Sequence, residues 1–361
     1  MGIFRLFLAL SVLVWHLWGH AVGPTITGNI AVFTFYMISG FYMSLVINDR
    51  YSKMPVWHFY WSRALRLLPT YYAIAIPALC LTVIYGSSTM FNKWIEPTSL
   101  AQWAQIIFSN VAIMGLDRID PNQSMIPVAW TLAIELQFYL VAPFIVTRSL
   151  AFCLALLAAA LVIRFSVQLG SYTFAPAIWC FFLIGHVSHR LSDRLNERVL
   201  RQIGIMAIAL LPLLGYLCSV SESLNLDRPQ FWIFYLSAAA AIPAIFSLTK
   251  AWRIDAFLGE LSYPVYISHM LVIGLVMYSW NQHLSFIPYD YHRLICTIAV
   301  VIVAVLLHVL IQRPIDVRRK SFGAAARQPI LAMRLSAGSV AALPGTSADA
   351  RSDYPPSPAY P

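Results

Sequence analysis

Residues 127–147, PVAWTLAIELQFYLVAPFIVT, decide the fold, because Glu135 is the one charged side chain in the whole stretch. An α-helix needs about 20 mainly apolar residues to cross the hydrocarbon core of a bilayer. A segment of this length and composition therefore predicts a transmembrane helix that carries a single carboxylate.

The rest of the chain has the same apolar character. Of its 361 residues, 60% are hydrophobic and 11% are charged, and the mean hydropathy is +0.71. A soluble domain carries about 25% charged residues, so this chain lacks the polar side chains to cover a globule in water. The composition excludes a soluble enzyme, a disordered protein and a nucleic-acid binder. We attribute the net charge of +9 to basic loops that face a cytoplasmic leaflet.

Ten apolar stretches predict an all-α membrane protein, a polytopic bundle of about ten transmembrane helices. They lie at residues 3–22, 29–48, 67–86, 127–147, 149–165, 173–189, 202–220, 230–249, 262–280 and 293–312. A weaker apolar stretch at 103–116 is expected to re-enter the membrane or to lie in its interface. Residues 1–320 form the predicted transmembrane domain, and the first span lacks a signal-peptide cleavage site, so we expect it to be retained.

Basic residues set the predicted orientation of the bundle. Lysine and arginine in short loops favour the cytoplasmic side, and the basic clusters all fall on one side only if 103–116 does not cross. This places both the N- and the C-terminus in the cytoplasm. Residues 321–361, rich in Ala, Pro, Ser and Gly, are predicted to be a disordered cytoplasmic tail. The basic clusters comprise Arg50, Lys53, Arg63 and Arg66; Arg190, Arg194, Arg198 and Arg201; Lys250 and Arg253; and Arg313, Arg318, Arg319 and Lys320.

The cysteines and histidines do not predict a metal site. The five cysteines all lie in apolar stretches and form no C-x-x-C pair, so neither a zinc site nor a disulfide framework is expected. His186, His189 and His308 lack the spacing of metal ligands. We predict no metal and no bound cofactor.

Ionisable residues inside the spans are candidate functional residues, because burying them in a membrane is costly. Arg5 and His16 lie on nearly the same face of the first span, about 16 Å apart along its axis. When residues are counted from the end of each predicted span at about 1.5 Å per residue, His16 and Glu135 lie at the same depth in the outer half of the bilayer. A carboxylate beside an imidazole would orient the ring and raise its basicity, so both are predicted catalytic residues. The alternative is that His16 merely hydrogen-bonds a neighbouring helix.

Weaker signals accompany this pair. Arg63 and Arg66 lie one turn apart at the cytoplasmic end of the third span, where arginine forks can bind phosphate or simply satisfy topology. His269, about 9 Å inside the ninth span, either lines a donor channel or bonds a neighbouring helix. His20 and Trp130, at the outer ends of their spans, are the predicted acceptor-binding residues. Ser39-Gly40 in the second span is predicted to allow close packing against a neighbouring helix.

Five motifs in this order resemble the acyltransferase 3 family, bacterial integral-membrane enzymes that O-acylate surface sugars. The motifs are Arg5-x10-His16, Phe35-x-x-x-Ser39-Gly40-Phe41, Arg63-x-x-Arg66-x-x-Pro69, Trp130-Thr-Leu-x-x-Glu135-x-Gln-Phe-Tyr139 and Ser262-Tyr-x-x-Tyr-x-x-His269. The chain departs from the family where Ile3-Phe4 replace a common Asp-Gly and where Leu136 replaces a second glutamate.

The resemblance implies a ten-span core in the bacterial inner membrane, acyl-CoA as the donor and a carbohydrate acceptor. It implies that His16 is catalytic, that Arg63 and Arg66 bind the CoA phosphates, and that Arg5 contacts the donor. His269 joins this acyl-CoA-binding group, and Glu135 matches the acidic residue of its motif.

The predicted function is therefore transfer of an acyl group, acetyl above others, from cytoplasmic acetyl-CoA to a hydroxyl of a polysaccharide or glycolipid. His16 acts either as a general base or as an acylated intermediate. The alternatives are a proton-coupled transporter that uses His16 and Glu135 as a relay, and a membrane receptor or assembly factor without chemistry. The sequence does not identify protein partners.

Overall fold

The computed structural model describes residues 1–19, 25–51, 54–85, 97–166, 174–220, 229–284 and 288–325. Within these ranges the regular structure is entirely helical. The helices are α1 (Gly2–Trp18), α2 (Gly28–Val46), α3 (Val56–Tyr85), α4 (Leu100–Ala112), α5 (Trp130–Val146), α6 (Leu150–Ser166), α7 (Ala175–Ser192), α8 (Glu197–Val220), α9 (Pro229–Thr249), α10 (Arg253–Ser279), α11 (Tyr289–Leu307) and α12 (Arg313–Ala325).

Seven of the described helices are long and apolar enough to cross a membrane, and α1 and α6 are shorter apolar helices. The seven are α2, α3, α5, α8, α9, α10 and α11. The chain is thus an all-helical, multi-pass membrane protein, as its composition predicts. The number of about ten spans and the cytoplasmic position of both termini stay predictions. Helix α12 continues to Ala325, five residues into the predicted tail, and 326–361 lie outside the described residues.

Helices α1 and α10 pack side by side, in parallel and in register. A Cβ placed on Gly2 would lie 1.5 Å from the carbonyl oxygen of Asp255, so the two backbones touch at one end. Fourteen residues further along each helix, about 21 Å, the rings of His16 and His269 meet with centroids 4.9 Å apart. This pairing fixes the depth of every α1 side chain relative to α10.

The start of α1 is held by a carboxylate from α10. Asp255 accepts hydrogen bonds from the backbone N–H groups of Gly2 (2.7 Å) and Ile3 (2.8 Å) and from the Met1 ammonium. The first N–H groups of a helix have no partner within it, and a negative charge at this end also favours the helix dipole. Asp255 therefore anchors the turn that carries Arg5.

Helices α2 and α7 approach each other through glycines. A Cβ on Gly40 would lie 1.9 Å from the carbonyl oxygen of Phe182, and one on Gly185 would lie 1.8 Å from that of Met37. Small residues permit such close contact between membrane helices. The prediction that Ser39-Gly40 allows close packing is confirmed at Gly40.

The segment that includes α4 enters the bundle and turns back. The Tyr71 hydroxyl, about 22 Å along α3, donates to the carbonyl of Asn110 at 2.9 Å, so α4 ends beside the middle of α3. The Asn110 side chain then accepts from Met125 N–H at 2.7 Å, and buried Asp117 accepts from Gln137 of α5 at 2.9 Å. Irregular backbone at such depth is tolerated where protein buries it. Residues 103–116 thus end beside the middle of α3 instead of following its whole length. That they re-enter the membrane or lie in its interface stays a prediction.

Candidate functional site

Two adjoining cavities lie among α1, α2, α3, α5 and α10. The Glu135 cavity has a volume of about 750 Å³ and the Arg319 cavity about 1310 Å³. They share Arg5, Tyr42, Arg63, Arg66 and Tyr263. The Glu135 cavity is also lined by Ser39, Thr131, Glu135, Tyr139 and Tyr266, and the Arg319 cavity by Lys250, Asp255, Glu260, Asp316 and Arg319.

Arg5, Arg63 and Arg66, the arginine triad, bring together the predicted donor-binding cations at the junction of the two cavities. Arg63 is 6% exposed, and its guanidinium lies over the rings of Phe59 (5.5 Å) and Tyr139 (5.9 Å). Among the described residues, no carboxylate forms an ion pair with any member of the triad. Glu135 lines the same cavity and its charge acts on Arg5 and Arg63, but one carboxylate against three cations leaves the site with a net positive charge. Burying such charge is costly, so the site favours an anionic ligand.

The carboxylates of the Arg319 cavity already have other partners. Asp255 binds the start of α1, Glu260 lies 3.4 Å from Nε2 of His308, and Asp316 lies 2.8 Å from Nη2 of Arg319. These acidic groups therefore do not neutralise the triad directly.

Glu135 faces the Glu135 cavity from α5 and is held by two hydroxyl groups. Ser39 of α2 donates to its Oε1 at 2.6 Å, and Tyr139, one turn further along α5, donates to the same oxygen. Oε2 makes no hydrogen bond within the described part of the chain. The carboxylate is thus fixed in orientation, with one oxygen available to a ligand.

His16 and His269 form a pair of imidazoles one turn beyond Tyr266, which lines the Glu135 cavity. Nδ1 of His16 lies 2.8 Å from the carbonyl oxygen of Val12, and Nδ1 of His269 lies 2.6 Å from that of Tyr266. Because a carbonyl can only accept, each Nδ1 carries the hydrogen, and each neutral ring keeps a basic lone pair on Nε2. His269 is fully buried and its Nε2 has no hydrogen-bond partner among the described residues, whereas His16 is exposed.

The predicted contact between His16 and Glu135 is wrong. The hydrogen bonds of Glu135 go to Ser39 and Tyr139, and the ring of His16 lies against His269. No hydrogen bond or ion pair joins His16 to Glu135 in the described residues.

The error arises from where α5 begins. The depth predicted from the sequence assumes that residue 127 lies at the outer surface of the membrane. In the structure, the Thr131 hydroxyl hydrogen-bonds the Tyr266 hydroxyl at 2.9 Å. Tyr266 lies thirteen residues, about 20 Å, before the end of α10 at Ser279. The start of α5 is therefore recessed, which moves Glu135 toward the arginine triad. Along the helix axes Glu135 and His16 are separated by about 10 Å.

The remaining predicted residues are placed as follows. Trp130 is half-buried and begins α5, next to Thr131. His20 lies outside the described residues. His269 lies beside His16, a pairing that the sequence reasoning missed. The only sequence signal is that the Gly2–His16 and Asp255–His269 spacings are both fourteen residues, which has meaning only once α1 and α10 are known to pack in parallel.

This fold and site define a multi-pass membrane protein with an arginine-lined cavity and, one helical turn beyond its Tyr266, a pair of imidazoles. Residues 1–312 match the family model described as an acyltransferase domain. The chain belongs to this family, acyltransferase 3, as its motifs predict.

Among curated proteins the chain is similar to O-acetyltransferase OatA of Staphylococcus aureus, for example in strains COL and N315. The identity is 27% over 150 residues, which covers 40% of this chain and 24% of each relative. The chain thus matches about a quarter of the length of these relatives. No solved structure gives a significant match.

Proposed function

We propose that this protein is a membrane O-acyltransferase that moves an acyl group, acetyl in particular, from cytoplasmic acyl-CoA to a hydroxyl of a cell-surface or exported carbohydrate. The observation that carries the proposal is the arginine triad, a cluster of three cations that form no ion pair among the described residues. The triad lines a cavity that Tyr266 also lines, and the ring of Tyr266 lies 5.8 Å from that of His269 in the imidazole pair. The acyltransferase family and the name of the O-acetyltransferase relatives support the reaction class. A bacterial inner membrane would give the protein access to both substrates.

The positive charge of the arginine triad supports acyl-CoA as the proposed donor. CoA carries a diphosphate and a ribose phosphate, and guanidinium groups bind phosphate through paired hydrogen bonds. With the diphosphate at the triad, the pantetheine arm extends through the Glu135 cavity toward His16. Glu135 then lies beside the arm, where its Oε2 can accept an amide N–H. The proposed role of Glu135 changes accordingly, from orienting His16 to positioning the donor.

The chemical step is assigned to the imidazole pair. Nε2 of His16 takes the proton from the acceptor hydroxyl, and the hydroxyl oxygen attacks the thioester carbonyl carbon. The carbon–sulfur bond breaks, the ester forms, and the CoA thiolate leaves and takes up the proton from His16. His269, whose Nε2 is also unprotonated, lies next to His16 and can stabilise the imidazolium that forms transiently.

The acceptor approaches from the side of His16 opposite the triad. His16 is exposed, and Trp130 at the recessed start of α5 presents an aromatic surface near the same depth. Trp130 and His20 are the proposed acceptor-binding residues.

The test is acceptor-dependent release of CoA thiol from acetyl-CoA by membranes that contain the protein. The wild type should release thiol and form an ester-linked acetyl group on the acceptor, and His16→Ala should do neither. His283→Ala, which alters an exposed histidine at the end of the α10 segment, is the matched control and should be fully active. A protein that moves solute without releasing thiol would be a transporter, contrary to the proposal.

A further inference from the structure

We propose that Arg319 of α12 binds the 3′-phosphate of the CoA ribose, so that the helix after the last span forms part of the donor site. This inference rests on the proposed function, and it adds a residue that lies beyond the five motifs and beyond the matched residues 1–312.

Arg319 lies at the far side of the Arg319 cavity from the imidazole pair. It lines this cavity together with the arginine triad, although its side chain is only 14% exposed. The positive charges of Arg63 and Arg66 are close enough to repel it. A fourth arginine is therefore held near the triad at an electrostatic cost that an anion would remove.

Asp316 holds Arg319 without using all its hydrogen-bonding capacity. The contact joins Nη2 of Arg319 to Oδ1 of Asp316 at 2.8 Å, one turn earlier on α12. A guanidinium has five N–H donors, so most of them remain available to a ligand. Asp316 thus positions the side chain at the cavity and leaves it able to bind phosphate.

The order of groups along the cavities matches the order of groups in acyl-CoA. The imidazole pair lies beside Tyr266, which lines the Glu135 cavity. Glu135 lines the same cavity, the arginine triad lines both cavities, and Arg319 lines the second. Acyl-CoA presents the thioester, the amide-containing arm, the diphosphate and the ribose 3′-phosphate. Once the diphosphate lies at the triad, the 3′-phosphate is the group left for Arg319.

Dephospho-CoA, which lacks only the 3′-phosphate, tests this assignment directly. The dissociation constants of CoA and dephospho-CoA are measured by calorimetry on the purified full chain in zwitterionic lipid nanodiscs. The wild type should bind CoA about tenfold or more tightly than dephospho-CoA, because charge-assisted hydrogen bonds to phosphate are strong. Arg319→Gln should weaken CoA binding to the dephospho-CoA level and leave dephospho-CoA binding unchanged.

Arg318→Gln is the matched control, since it removes the same charge from the adjacent, exposed position on α12 and should change neither constant. Asp316→Asn separates a phosphate contact from a structural ion pair. If Arg319 binds phosphate, this variant should still prefer CoA over dephospho-CoA. If this variant instead weakens CoA and dephospho-CoA equally, the Arg319–Asp316 ion pair acts through the fold and the assignment fails.

Three other results would overturn the assignment. Equal weakening of both nucleotides by Arg319→Gln would give Arg319 a structural role, and no weakening would remove it from the site. Anionic lipid headgroups share the phosphate chemistry, so a wild-type preference that disappears in anionic nanodiscs would assign Arg319 to lipid. A wild type that binds neither nucleotide would contradict the proposed function itself, which distinguishes that failure from the others.

Discussion

His16 and His269 each direct Nδ1 at a backbone carbonyl, which leaves the lone pair of the neutral ring on Nε2, but only His16 is accessible. We therefore predict that His16→Gln lowers the acyl-transfer rate by at least about 100-fold, the lower range for loss of a general base. The KM for acetyl-CoA should change little, because the triad is untouched. Steady-state kinetics in membranes measure both constants, and a variant with normal kcat would remove His16 from the reaction.

Glu135 is expected to contribute to donor binding. Its carboxylate lies in the Glu135 cavity, which the arginine triad also lines, and is about 10 Å from His16 along the helix axes. Glu135→Gln should raise the KM for acetyl-CoA more than it lowers kcat. Ser39→Ala removes one of the two hydroxyl donors to Oε1 and should have the same effect in weaker form. A large fall in kcat at unchanged KM would instead show that Glu135 acts in the chemical step, as the sequence predicts, and not in donor binding.

At this scale the sequence identified most of the site residues but not their grouping. Arg5 and Glu135 are recognisable because a charge inside an apolar span is costly. Arg63 and Arg66 are recognisable because they lie one turn apart at the end of a span, where arginine forks can bind phosphate. The structure brings all four to one cavity. The partner of His16 was not predictable, because the two candidates differ only in depth. Depth depends on where α5 starts, which a hydropathy pattern does not reveal.

At the scale of elements, close backbone contacts set the positions of the helices. A Cβ on Gly40 would meet a backbone oxygen of α7 at 1.9 Å, which no side-chain rotation relieves. We predict that Gly40→Ala destabilises the protein by roughly 1–3 kcal/mol, the typical cost of overpacking. Thermal unfolding in detergent measures this loss. Gly215→Ala on α8, whose added Cβ would meet the side chain of Ile26 rather than backbone, should lower the unfolding temperature less. Equal stability of Gly40→Ala and the wild type would contradict the packing.

The anchor of α1 on α10 gives another prediction at this scale. Asp255→Ala leaves the N–H groups of Gly2 and Ile3 without their acceptor, and a lost helix cap costs about 0.5–2 kcal/mol. Because this turn carries Arg5, acetyl-CoA affinity should also fall. The variant should therefore show a lower unfolding temperature and a raised KM. A variant with a normal KM would show that the anchor does not position Arg5.

The composition of the sequence predicts which segments form helices, but it does not predict how deep in the membrane each helix begins. Residues 127–147 form a helix as predicted, but regular α-helix begins only at Trp130, next to a buried turn. The segment that includes α4 and creates this turn depends on contacts of Asn110 and Asp117 with distant residues. Such long-range polar contacts leave no periodic signal in the sequence.

At the scale of the whole molecule, the orientation of the bundle depends on whether α4 crosses the membrane. Thr98, an exposed residue just before α4, and Arg318, an exposed residue on α12, report this together. If α4 re-enters, the predicted spans between them are odd in number, so the two positions lie on opposite sides. If α4 crosses, the number is even and they share a side. This parity is independent of the absolute orientation.

We predict that Thr98→Cys reacts with a membrane-impermeant maleimide in intact cells, and that Arg318→Cys reacts only after permeabilisation. Cys80, the one exposed native cysteine, is replaced by serine in both variants, and a chain with that replacement alone measures the background. The end of α4 beside Tyr71 of α3 supports this outcome, because a crossing helix would not stop at mid-length of its neighbour. Labelling of both positions from the same side would show that α4 crosses. If that labelling occurs in intact cells, Arg319 lies in the compartment away from cytoplasmic acyl-CoA and the proposed donor contact fails.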